Sequence, residues 1–522
     1  MSTLRQGLGT GAAETGEEPK AGPRSGQAQR RLRGSVRALL RRHLLFSLAL
    51  GLAVVPRVIV MLGFQPAILF KLDTYDYLWD AAHLIPNVAN PGGYSLFLVL
   101  LKPFHSLMLI AGLQHLLGLM VAVLVYAVLR RFGVSDWLAT LAAAPVLFSP
   151  SEFLLEQLIM ADFLALLLLI AALAVLLLRQ EPSVWRTVTA GLLMGASAVV
   201  RPTALPLIAL MALYLLVRRA GWRRVCAVLA SGALPVVLYM AWFASANGNF
   251  NITNSSGLFL WSRTMTFANC GIIKPPANLQ ALCPNRQRGI PNRPPGQRQQ
   301  PKLYLWNHDA WQWQNPQAPG LVPDIAAFTS VNNARAMQFA ERAIEAQPLA
   351  YAAVVARDAL HPFTKSNLFV FPGQSGNTGR LGPDNRRYAL AALKAYTGST
   401  GSVGPYLGPH FGEQFVNPYG HLIRGYQKVI DLPGPVFGLI LLVGLGGIFV
   451  PRRRLAASAL LLACAVVTIL FPIAEHEYNY RYVIPAVPLA CMAAALAFRN
   501  RSQETPDKPD EPAPPVTEPA AA

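Results

Sequence analysis

Charge is what this sequence has least of. Only 14% of its 522 residues are charged, against about 25% in an ordinary soluble domain, and 53% are hydrophobic. That argues against a soluble globular protein of this length. Acids are the scarcer sign: 26 Asp and Glu stand against 45 Lys and Arg, a formal net charge of +19. Cysteine is also scarce, with five in the chain, and no Cys/His spacing resembles a zinc site. Cys226, Cys464 and Cys491 lie inside apolar runs and read as small core hydrophobes. No cleavable signal peptide precedes the first apolar run, which is therefore expected to act as an uncleaved anchor. No convincing internal repeat is present, a point that bears on transport.

Long apolar runs are what the chain has instead. They occupy residues 43–64, 106–129, 137–149, 158–178, 187–200, 203–217, 223–244, 435–450, 455–473 and 482–498. A bilayer core needs about 20 apolar residues in a helix. Several runs are shorter, so they must borrow flanking residues or be partly re-entrant. The fold class this predicts is an all-α polytopic membrane protein with about ten transmembrane helices.

The basic residues could suggest a nucleic-acid partner, but their placement excludes one. They cluster at run ends, as at Arg41 and Arg42, Arg130 and Arg131, Arg218 and Arg219, and Arg452 to Arg454. These clusters precede odd runs and follow even ones, the positive-inside pattern. No single basic face results. Both termini are then cytoplasmic, and the external segments are 65–105, 150–157, 200–202, 245–434 and 474–481. Residues 1–42 form a basic tail and 499–522 a Pro/Glu/Ala-rich one, and both compositions predict disorder. A transmembrane module over 43–244 carries the first external loop, a soluble insert spans 245–434, and the last helices fill 435–498. Within the insert, residues 332–360 have helical apolar spacing. Cys270 and Cys283 also lie there, where oxidation is permitted, and are expected to form a disulfide.

Four polar clusters converge on that external side. In "FKLDTYDYLWDAAHLIPNVANPGGY", Asp73, Asp76, Tyr77 and Asp80 share one face of a helix expected to lie on the membrane. Such carboxylates suit a general base or metal ligand. "SPSEFLLEQLIMADFL" supplies Glu152 and Glu156, one turn apart, and Asp162 inside an apolar run. A charge at that depth costs roughly 2.5–3.5 kcal/mol on insertion scales and is expected to face a polar interior. Arg201 is the one charge between two external run ends, and its fork fits phosphate oxygens. "AEHEYNYRYVIPAVPL" packs Glu475, His476, Glu477 and Arg481 into one loop, where a Glu/His/Glu set could ligate a divalent metal. Acids and arginines together at a lipid interface suit transfer from a lipid phosphate.

These motifs, with "NPGGYSLFL" and "GLLMGASAVVRPTALPL", resemble the C-type glycosyltransferase superfamily. The bacterial relatives of protein O-mannosyltransferases and the lipid A aminoarabinose transferase are the most similar groups. The resemblance covers residues 43–245 well and 435–498 more loosely. It implies an integral-membrane glycosyltransferase that takes a sugar from a polyprenyl-phosphate donor outside the cytoplasm. The acceptor would be an envelope glycan, lipid or protein. Asp73 then looks like the base, with Asp76 in reserve, and Arg201 and Arg481 would hold the donor phosphate. Tyr77, Glu152, Glu156, Asp162, Glu475, His476 and Glu477 would complete the polar site. The chain lacks the adjacent Asp-Glu pair of the protein mannosyltransferases, which leaves acceptor type and metal dependence open. The competing class is a transporter or lipid flippase. It would use intramembrane charge too, but ordinarily within repeated halves.

Overall fold

The computed structural model describes residues 41–307, 309, 312, 327–364, 371, 414–449 and 455–498. The two tails expected to be disordered lie outside them, apart from residues 41 and 42. The chain is mostly helical because a segment in lipid must satisfy its own backbone polar groups. In order come α1 (Leu44–Leu52), α2 (Val54–Gly63), α3 (Lys71–His83), α4 (Gly93–Leu101), α5 (Leu107–Arg131) and α6 (Asp136–Phe148). Then follow α7 (Pro150–Gln157), α8 (Ala161–Leu177), α9 (Val184–Val200), α10 (Leu205–Val217) and α11 (Trp222–Asn247). An insert contains α12 (Ser256–Thr264), α13 (Ser330–Ala346) and α14 (Pro348–Leu360). The chain closes with α15 (Tyr419–Ile430), α16 (Gly434–Phe449), α17 (Leu455–Glu475) and α18 (Ala486–Leu496).

Among the described residues, four stretches are long and apolar enough to cross a bilayer: Leu44–Gly63, α5, α11 and Ala456–Glu475. Two bent pairs, α6 with α7 at 49° and α15 with α16 at 50°, raise this to six if each is one span. The expectation of about ten spans counted every apolar run as a crossing. Four of the runs instead form helices of 10–17 residues, such as Ala161–Leu177 and Val184–Val200. The bend between α6 and α7 follows from sequence, since Pro150 opens α7 and cannot continue α6.

Small residues set the closest packing. A Cβ on Gly195 of α9 would stand 2.2 Å from the Gly232 carbonyl oxygen of α11. Only glycine lets these backbones approach so closely, a common device between apolar helices.

A buried ion pair pins α7 into the bundle. Arg57 on α2 grips Glu156 with two hydrogen bonds, Nε to Oε2 at 2.9 Å and Nη2 to Oε1 at 2.8 Å. It also donates to the carbonyls of Ala53, Val146 and Leu147. His115 Nδ1 lies 2.6 Å from Glu156 Oε2, and Gln114 donates to the Glu156 and Leu158 carbonyls. A Cβ on Gly118 would stand 1.8 Å from Glu156 Oε1, so α5 has glycine where the carboxylate packs. With its partners this saturated, the charge can be held where an isolated one could not.

The insert has a core of its own, centred on Trp261, Leu258, Phe328, Phe339 and Tyr304. Cys270 and Cys283 are joined there by a disulfide with Cα atoms 6.1 Å apart. The helical stretch read at 332–360 is two helices, α13 and α14, because Pro348 starts a new one after Gln347. Three contacts bolt the insert onto the loop after α17. Ser262 Oγ pairs with His476 Nδ1 at 2.9 Å, Tyr351 donates to the Ala474 carbonyl, and the Lys302 N–H donates to Glu477.

Candidate functional site

The chain that precedes α3 fixes the first acid. Ile68 bridges to the strand-like turn after α7, with its N–H donating to Gln157 O and its carbonyl accepting from Ile159 N–H. Thr74 Oγ accepts the Phe70 N–H at 2.7 Å and donates to the Ile159 carbonyl at 3.0 Å. The start of α3 is thereby tied to the start of α8. Asp73 occupies the first turn of α3 and Asp162 the first turn of α8, where helix dipoles favour negative charge.

Two arginines answer these acids. Arg201 caps the C-terminal end of α9, where its positive charge is favoured, and its Nη2 lies 2.5 Å from Asp162 Oδ1. Arg481 sits in the short helical turn Tyr480–Val483, whose N-cap Asn479 accepts the Arg481 N–H. Arg481 Nη1 stands 3.6 Å from Asp162 Oδ2 and 3.5 Å from Asp73 Oδ2. Aromatic faces back both guanidinium groups, Phe70 at 4.1 Å from Arg481 and Tyr482 at 5.0 Å from Arg201. Residues far apart in sequence thus form one neutral cluster of two acids and two arginines.

The four groups are not equivalent. The Asp162 side chain is 1% exposed and spans both arginines, so it is an organiser. Asp73 is 28% exposed and held by one long contact, so it can meet a substrate. Burial raises the Asp73 carboxyl above its ordinary value, and Asp162 adds to this, while Arg481 and Arg201 pull it back. Arg201 keeps its charge: burial works against it, but Asp162 and then Tyr482 and Tyr77 more than restore it. Tyr77 is buried beside the cluster, with burial the main reason its hydroxyl holds its proton.

The other expected site residues are placed elsewhere. Asp76 and Asp80 are on α3 but bury toward the 87–95 segment. Asn90 donates to Asp76 at 2.9 Å and Asn87 to Asp80 at 3.3 Å. Burial and the neighbouring Asp76 push the Asp80 carboxyl well above its ordinary value. The stripe is therefore met by different partners along its length, and α3 is packed against neighbouring segments. Glu156 spends its carboxylate on Arg57 and His115, and buried Glu152 lies beside that pair. His476 is engaged by Ser262, and burial, helped by Arg263, lowers its pKa to about 3. Among the described residues no three His, Cys, Asp or Glu side chains converge to hold a metal, so Glu475, His476 and Glu477 do not assemble the expected ligand set.

Sequence reasoning overlooked Arg57, Gln114 and His115. The signal was there, because Arg57 and His115 interrupt apolar runs as Asp162 does. It also overlooked Phe70, for which sequence carries no signal.

Comparison with known proteins adds one finding. Residues 89–277 match the model of Glycosyltransferase family 87, a stretch that contains Asp162 and Arg201 and excludes Asp73 and Arg481. No curated protein and no solved structure matches the chain. With the apolar helices, the match supports a membrane glycosyltransferase and does not favour a transporter.

Proposed function

We propose that the chain moves a sugar from a polyprenyl-phosphate donor to an acceptor hydroxyl, with Asp73 as general base. The observation that carries this is the cluster in which Asp73 alone of the two acids remains accessible beside two arginines. Asp73 would take the proton of the acceptor hydroxyl as its oxygen bonds to the anomeric carbon. The bond from that carbon to the phosphate oxygen breaks, and polyprenyl phosphate leaves with its added negative charge. Arg201 and Arg481 are placed to meet that charge, and Asp162 holds both in register. An apolar groove of about 720 Å³ between α1, α6, α15, α16 and α18 supports a lipid-borne substrate.

The charge distribution supports the cell membrane as location, with both termini in the cytoplasm and the cluster on the outer face. The acceptor would then be an envelope glycan, lipid or protein. The test is transfer from a labelled polyprenyl-phosphate sugar by full-length protein in nanodiscs, wild type against Asp73→Asn. Full transfer by the variant would overturn the assignment of the base.

A further inference from the structure

The insert holds a second polar site, separate from the acid–arginine cluster. It is a cleft of about 240 Å³, or about eight waters at roughly 30 Å³ each, walled by Arg298, Gln300, Asp358, His361, Glu477 and Tyr478 among others. Its walls are fixed from behind. Arg298 donates through Nε to the Arg293 carbonyl and through Nη1 to those of Met265 and Ala268. Among the described residues its Nη2 makes no hydrogen bond. Asp358 accepts from fully buried Arg263 at 2.6 Å and from Arg357 at 3.2 Å. Glu477 accepts the Lys302 N–H through Oε2 only, and His361 packs on the Tyr478 ring at 4.9 Å.

The chemistry selects a class of ligand. Arg298 and Arg357 stand among Asp358 and Glu477 along the lining, with Arg263 paired to Asp358 behind it, so the wall alternates in sign and presents no single charged face. It offers planar, directional donors and acceptors beside an aromatic pair, a set that suits the hydroxyls and ring faces of a neutral sugar. Its position fits as well. Tyr478 lies three residues before Arg481, so their Cα atoms are at most about 11 Å apart at 3.3–3.6 Å per residue.

We infer that this cleft is an acceptor subsite that binds a neutral saccharide unit and presents the next hydroxyl to Asp73. The inference rests on the transferase reading given above. The test uses full-length protein in nanodiscs and a panel of neutral di- and trisaccharides of glucose, mannose, galactose and arabinose, with trigalacturonate as anionic control. Saturable binding of at least one neutral member is expected. It should weaken at least tenfold in Gln300→Ala combined with Glu477→Ala and persist in Asp73→Asn. Gln300 is exposed, so Gln300→Ala alone serves if the double variant loses its thermal transition. Binding of no neutral sugar, equal binding by the cleft variant, or preference for trigalacturonate overturns the subsite. Loss of the transferase reading shows separately, as full sugar transfer by Asp73→Asn.

Discussion

Arg481 Nη1 lies 3.5 Å from Asp73 Oδ2, although 408 positions separate the two residues in the chain. The contact is long enough to orient the carboxylate without claiming it, and it joins the first helices of the bundle to the last. Asp162 sits on the other side of the same guanidinium at 3.6 Å. What the cluster does depends on that asymmetry.

Replacing Asp73 by Asn removes the proposed base while keeping shape. Transfer should fall roughly 100- to 10,000-fold, the range for a lost general base, with the thermal transition kept. Steady-state kinetics with a labelled donor reads the first and scanning fluorimetry the second.

Arg201→Lys keeps a positive charge beside Asp162 but loses the guanidinium fork. The protein should fold, and kcat/KM for the donor should drop at least tenfold. Arg201→Ala should lose about 100- to 1000-fold, as when one transition-state donor is deleted. Equal rates for Lys and wild type would mean that only charge matters there.

The pH profile follows from the sign of the Asp73 shift. A base must be unprotonated, so the rate is present above its pKa and lost as pH falls through it. Because Asp73 is raised above 3.8, the acid limb of kcat/KM should lie above that value. Asp162→Asn removes a raising charge and frees both arginines to act on Asp73. The acid limb should therefore move down in pH in that variant.

The Arg57–Glu156 pair is 3% and 0% exposed, so solvent screens it little. Breaking it one-sidedly, as in Arg57→Met, should cost about 3–5 kcal/mol because Glu156 is left charged and buried. Adding Glu156→Leu should recover much of the loss. The midpoints of thermal unfolding in detergent for the single and double variants check this.

Cys270→Ser opens a loop closed across 13 positions. Chain entropy puts the loss at about 3 kcal/mol, confined to the insert. Limited proteolysis should then cut the insert faster while the helical bundle stays intact.

Much of this was legible in the residues because charge inside apolar sequence is costly and so informative. Asp162 and Arg201 stand out on that ground and Arg481 by the polar crowding of its loop, and the structure brings them together with Asp73. What helical phase does not carry is the partner of each group. Asp73, Asp76 and Asp80 share spacing on α3, yet Arg481 meets the first while Asn90 and Asn87 meet the others, and sequence does not say which neighbour arrives where. The count of about ten spans rests on a related assumption. An apolar run reports burial, and a helix of 17 residues such as Ala161–Leu177 can be buried by other helices as well as by lipid. Glu156 was misplaced because Arg57, its partner, had been overlooked.

The chain is made from its N-terminus, and Arg481 follows Asp73 by 408 positions. Asp73, Asp162 and Arg201 are therefore all synthesised long before the group that joins the two acids. A ribosome that stalls anywhere in α17 leaves a bundle with its acid in place and its second arginine missing. On the transferase reading, competence arrives with the turn that carries Arg481, and a copy that lacks it is a silent one.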